Sequence, residues 1–165
     1  MKEINFSELS FNPMTMIGDE WLALTAGTKD GGFNSMTCSW GHMGNIWNKP
    51  SIVVYVRPQR YTKEFMDKEE LFTVCFFDDC KKELSYIGSR SGRDEDKIAA
   101  AGLTPVFEDG ITYYEQAKLV FVCRKLFRST LKEENFIDKS VVEKSYPEKD
   151  FHDMYVGEIV KVLSK

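Results

Sequence analysis

GGFNSMTCSWGHMGNIWNKPSIVVYVRPQRYT, Gly31 to Thr62, is the stretch that decides how this chain folds. Its opening Gly31-Gly32 pair supplies the positive φ that a tight turn needs. Phe33 to Trp40 then reads as an unusually polar strand, with Asn34, Ser35, Thr37 and Ser39 mixed among Met36, Cys38 and Trp40. Trp40-Gly41 ends the strand, where a glycine lets backbone amides approach another group closely. Gly41 to Lys49 (GHMGNIWNK) reads as a glycine-bearing loop with an exposed Trp47, or as a plain connection whose Trp belongs to the core. After Lys49-Pro50, the β-branched run Ser51 to Val56 is a buried strand. It leads straight into Arg57-Pro58-Gln59-Arg60-Tyr61-Thr62. Guanidinium forks, a hydroxyl that can cap the next helix and free helix amides together make a setting suited to a phosphate.

Working outward, residues 1 to 19 read as an arm packed on the domain through Phe6, Leu9, Phe11 and Met14. Trp21 to Ala26 is a strand, turned by Gly27 to Gly32 into the Phe33 strand as a hairpin. On the other side, Thr62 to Lys68 is a short helix with Thr62 as N-cap and Glu64 favourable to its dipole. Leu71 to Phe77 (LFTVCFF) is a buried strand, and Asp79 is placed to cap a helix over Lys81 to Ser89, with Leu84 and Ile87 on one face. The small, basic Ser89 to Asp94 leads into a second short helix that Gly102 stops. Leu103 to Tyr114 is turn-broken by Pro105, Asp109 and Gly110. Ala117 to Phe127 is a long strand, Lys132 to Lys149 is loop or irregular helix, and Met154 to Leu163 is the closing strand. Six or more strands with short helices between them, and no βαβ rhythm, predict a closed or split antiparallel barrel.

The 165 residues suit one domain with a proper core. A formal net charge of -4 argues against nucleic-acid binding, which demands a basic face. No apolar run approaches the roughly 20 residues of a membrane helix. Charges fill the N-terminus where a signal peptide would be apolar, so the chain reads as cytoplasmic, with no membrane partner. Cys38, Cys75, Cys80 and Cys123 read as free thiols, and their spacing fits no metal site.

With only His42 and His152, a Ser–His–Asp or Cys–His mechanism has little to draw on, and no Walker or Rossmann glycine pattern occurs. What remains is a polar strand beside a phosphate-suited turn, the setting of a protein whose bound cofactor does the chemistry. Phe33-Asn34-Ser35-Met36-Thr37-Cys38-Ser39-Trp40-Gly41, Lys49-Pro50 and Arg57 to Thr62 together resemble the flavin reductase-like (flavoredoxin-type) FMN-binding split-barrel family. Ser91-Gly92-Arg93-Asp94…Lys97 and His152 to Glu158 match the same pattern, so the resemblance spans residues 1 to 165 as a single domain.

That resemblance implies a split antiparallel β-barrel, a homodimer and an FMN-dependent oxidoreductase. NAD(P)H is then the implied co-substrate, and a redox partner protein or free flavin the acceptor. By position, Asn34, Met36, Thr37, Cys38, Ser39 and Trp40 would line the isoalloxazine, with main-chain groups serving its polar edge. Arg57, Arg60 and Thr62 would hold the phosphate and ribityl end, with Ser91 and Arg93 as further candidates. His152 would stand near the nicotinamide as the one catalytic candidate. An electron carrier without its own nicotinamide site, or a non-catalytic FMN or small-ligand barrel, are the alternative functions. Alternatives for the residues also stand. The polar strand can be plain barrel packing, the arginines solvated charges, His152 a surface residue paired with Asp153, and Cys38 a small buried hydrophobe.

Overall fold

Ten strands make up most of the regular structure: β1 (Lys2–Ile4), β2 (Leu22–Thr28), β3 (Gly32–Cys38), β4 (Gly41–Ile46), β5 (Lys49–Val56), β6 (Leu71–Phe77), β7 (Pro105–Glu108), β8 (Ile111–Tyr114), β9 (Ala117–Thr130) and β10 (Asp153–Ser164). The short helices are α1 (Pro13–Thr15), α2 (Thr62–Lys68), α3 (Lys81–Ser89), α4 (Lys97–Ala100) and α5 (Lys139–Ser145). The structure is a computed structural model and describes residues 1–165. An antiparallel sheet runs in the order β3-β2-β6-β9-β10-β5-β4, with β1 added to β10, and β7-β8 form a separate hairpin. No helix is long and apolar enough to cross a membrane.

The sheet curls because β10 breaks register with β9 at Val156/Gly157 and again at Ile159/Lys161, and such bulges bend and twist a strand. Gly157 is needed at the first bend, since a Cβ there would lie 2.5 Å from Phe72 Cζ and 2.9 Å from Cys123 Cβ. Both faces of the central strands are covered. Leu24, Val74 and Phe121 point into a core of 19 buried residues inside the curl. Cys75, Val120 and Ala23 point outward into a second cluster of 14, roofed by Leu84 and Ile87 of α3 and by Tyr113 and Tyr114 of β8. Two buried faces explain why LFTVCFF is a continuous apolar run and not an alternating one.

Four local expectations are corrected. Gly41 to Lys49 is not a loop: β4 pairs with β5 from Gly41↔Val54 to Ile46↔Lys49. Trp47 and Asn48, at φ 55 and 59, make the two-residue hairpin turn. Thr62 is not the helix cap, because Tyr61 already has helical angles and the Arg60 and Tyr61 carbonyls bond the amides of Lys63 and Glu64. Asp79 does not cap α3; it sits at φ 50, and Cys80 holds the cap position without a side-chain bond. In the N-terminal arm, Ile4 and Leu9 pack on the core, whereas Phe6 and Met14 are 52% and 79% exposed. The chain from Lys132 to Lys149 holds a short 3-10 turn, Glu133–Asn135, and α5.

Candidate functional site

The two ends of the sheet, β3 and β4, each have one strand neighbour. They are consecutive in sequence, joined by Ser39-Trp40, yet do not pair with each other. The barrel is therefore split along β3, whose outer edge keeps main-chain donors and acceptors without a strand partner. β3 also divides its side chains by face. The Ser35 hydroxyl is shared between Thr25 Oγ1 (2.5 Å) and Tyr114 OH, and Thr37 Oγ1 donates to the Leu84 carbonyl at 2.5 Å. Those polar side chains fasten the outer layer. Asn34, Met36 and Cys38 point the other way, towards the turn after β5.

Two adjoining cavities lie there. The first, about 310 Å³, is bordered by Asn34, Arg57, Arg60, Thr62, Ser91 and Lys97, together with Arg90. The second, about 210 Å³, is bordered by Met36 to Trp40, Tyr55 and His152, and shares Met36, Arg57 and Arg60 with the first. No aspartate or glutamate lines either one. A cavity with three arginines and a lysine, the hydroxyls of Tyr61, Thr62, Ser89 and Ser91, and no carboxylate is chemically an anion site.

Local bonds hold these groups in place. Asn34 Nδ2 donates to Thr62 Oγ1 at 2.7 Å, both residues being buried. A Cβ at Gly92 would lie 2.2 Å from Asn34 Oδ1, so only glycine lets the Ser91-Gly92 turn close on β3. Arg60 donates to the Gly88 carbonyl at 2.6 Å, and Arg57 to Asp150 and, at 2.8 Å, to the Ser145 carbonyl. Below α2, Asp153 accepts from Lys63, Arg128 and Thr130, anchoring that helix to the end of β10.

Lys97 is 3% exposed and donates to the Ile87 and Arg90 carbonyls at 2.7 and 3.0 Å, with no carboxylate bonded to it. Burial, helped by the Arg60 charge, pushes its pKa down to about 8. His152 is also buried, with Nδ1 against Tyr146 OH at 2.8 Å and its ring 5.2 Å from that of Trp40. Burial, followed by the Arg57 charge, pushes His152 down to about 4, so its imidazole is neutral at ordinary pH. It is therefore neither a surface residue paired with Asp153 nor a group that titrates near neutrality. Burial lifts the Cys38 thiol to about 12, which leaves no reactive thiolate.

The structure thus gathers Asn34, Met36, Thr37, Cys38, Ser39, Trp40, Arg57, Arg60, Thr62, Ser91 and His152 around one groove. The Thr37 hydroxyl is turned away to α3. Arg93 stands apart: its guanidinium lies 4.6 Å from the Tyr61 ring centre and pairs with Glu64, bordering a different cavity. Sequence reasoning named neither Lys97 nor Tyr55 as a site residue. The signal for Lys97 was its place directly before the apolar Ile98-Ala99-Ala100, which carries a helix into the core.

Comparison with known proteins agrees with this architecture. The FMN-binding protein from Thermus thermophilus with bound p-hydroxybenzaldehyde superimposes with TM-score 0.69 at 20% identity, over 100% of this chain and 82% of that one. Flavoredoxin from Methanosarcina acetivorans gives 0.67 at 22% identity, over 96% and 75%. Nitrilotriacetate monooxygenase component B from Bacillus cereus gives 0.67 at 20%, over 99% and 81%. No curated protein sequence matches the chain. The family model described as "Flavin reductase like domain" matches residues 21–165, and the chain belongs to that family.

Proposed function

We propose that the protein is an FMN-dependent oxidoreductase that takes electrons from NAD(P)H and passes them to a further acceptor. The observation that carries this reading is the carboxylate-free cavity bordered by Arg57, Arg60, Arg90 and Lys97 beside an unpaired strand edge. The residues fit the cofactor's chemistry. Arg60, Arg57 and Lys97, with the Thr62 and Ser91 hydroxyls, would hold its phosphate. The free edge of β3 would offer main-chain partners to the polar rim of the ring, and Met36 to Trp40 would line it. When bound, the flavin ring supplies hydride and electron transfer.

The chain's own part is binding, orientation and electrostatics. Arg57 and Arg60, shared by both cavities, favour negative charge at the ring end of the groove as well as at the phosphate. His152, neutral and fixed by Tyr146, offers its second nitrogen to a carboxamide. The exposed Trp40, Trp47 and Phe127 favour a homodimer, since large apolar groups at a surface mark an interface. The decisive experiment is the visible spectrum of the purified protein. Yellow protein that releases FMN on denaturation, and is bleached by NADH or NADPH alone, is the expected result. Colourless protein that also fails to take up added FMN would refute the reading. Flavin that is present but not bleached would favour an electron carrier instead.

A further inference from the structure

Arg57 borders both the phosphate end and the ring end of the groove, and its guanidinium is gripped from behind. One amino group donates to Asp150 Oδ2 and the other to the Ser145 carbonyl at 2.8 Å, and the Tyr146 ring centre lies 5.4 Å from its Cζ. Asp150 itself lines neither cavity. Its Oδ2 also accepts from Gln59 Nε2 at 2.8 Å, while Oδ1 is buried with no hydrogen-bond partner. The Gln59 and Arg57 bonds hold this carboxyl below the usual carboxylate range, so it is charged at neutral pH. An incompletely bonded carboxylate is costly to keep out of water, and a neutral amide oxygen could accept the same two bonds. The charge itself is therefore the feature to explain. Arg60, the other guanidinium common to both ends, bonds the Gly88 carbonyl and has no carboxylate partner.

We infer that Asp150 is a positioning residue: it holds Arg57 at the groove wall and, through its charge, limits how strongly that guanidinium favours reduced flavin, an inference that rests on the protein binding FMN. A hydride added to the neutral ring leaves one negative charge there. Two uncompensated guanidinium groups would stabilise that charge most and retain the electrons. Pairing one of them with Asp150 weakens its field at the ring, which favours passing the electrons on.

The test is the reduction potential of bound FMN, by anaerobic dithionite titration against a reference dye. It is run on wild type, Asp150→Asn, Asp150→Glu, Arg57→Gln and the Asp150→Asn/Arg57→Gln double variant. In Asp150→Asn the reduced form is expected to gain affinity over the oxidised form by about three- to tenfold, a rise of about 15–30 mV for a two-electron couple. Asp150→Glu, which keeps the charge, should stay near wild type. In the Arg57→Gln background Asp150→Asn should have no effect, because Asp150 acts through Arg57. An unchanged or lowered potential in Asp150→Asn, a Glu variant that rises as far, or an equal rise in the Arg57→Gln background would each overturn the assignment. A purely structural role would move the melting temperature and not the potential. If Asp150→Asn fails to fold, Asp150→Ser, also neutral, carries the comparison. Wild-type protein that binds no FMN would refute the flavin reading and this one with it, whereas bound FMN with an unmoved potential would refute only the role of Asp150.

Discussion

Lys97→Met tests the anion site at a residue that belongs to the sequence pattern but that sequence reasoning gave no role in the site. In the protein without a bound anion, the drop of the Lys97 pKa from 10.5 to about 8 corresponds to roughly 3 kcal/mol of strain against the charged form. Because the unfolded chain holds that proton more tightly, stability rises with pH between about 8 and 10.5 and is lowest below 8. Methionine removes the charge and this pH dependence together. It also leaves the Ile87 and Arg90 carbonyls without their donor, a loss of about 1–3 kcal/mol, so net stability at neutral pH changes little. A bound phosphate reverses the balance. One charge-assisted hydrogen bond is worth about 1.5–3 kcal/mol, which predicts FMN affinity falling by roughly 10- to 150-fold. Riboflavin, with no phosphate, loses less than about threefold. Flavin fluorescence titration with both ligands, beside urea unfolding at pH 7 and 10, reads all of this. Equal losses for FMN and riboflavin would mean that Lys97 supports the fold and not the anion.

Arg60→Ala is expected to weaken FMN in the same way and to spare riboflavin, by fluorescence titration, with a similar loss of about 1.5–3 kcal/mol. Gly92→Ala should displace Asn34 from Thr62, since the new Cβ falls 2.2 Å from Asn34 Oδ1; a wild-type melting temperature and FMN affinity would contradict that. His152, held down to about 4, contributes stability that is full above pH 6.5 and lost as pH falls towards 4, up to about 3 kcal/mol. His152→Gln should flatten that acid limb in urea unfolding, and in steady-state assays raise KM for NAD(P)H with flavin content unchanged. Sedimentation at micromolar concentration is expected to show a dimer, and a stable monomer holding FMN would count against it.

Strand identity was legible in the sequence because it is written in local pattern. The β-branched run Ser51 to Val56 and the apolar LFTVCFF leave few options. So was the turn from Arg57 to Thr62, where proline and two arginines act within six residues. Gly41 to Lys49 was misread because its two glycines resemble a loop, whereas pairing with β5 makes it a strand. That pairing is a non-local fact. Thr62 was misread as a cap because helical angles already begin at Tyr61, which no residue type announces.

What the sequence determined alone was the strand inventory, the polar character of β3 and the cationic turn. Only the tertiary structure decided which β3 side chains face the groove. Alternation along a strand tells that Ser35 and Thr37 share a face, but not which face is covered; packing of Tyr114 and Leu84 settled it. It also brought Lys97 and Arg60, 37 positions apart in the chain, to one cavity, and sent Arg93 out of it to Tyr61 and Glu64. It buried His152 against Tyr146 and so removed the titration near neutrality that a free imidazole would have. The physical reason is common to all three. Burial and the field of distant charges are sums over the folded neighbourhood, and no local window of sequence contains them.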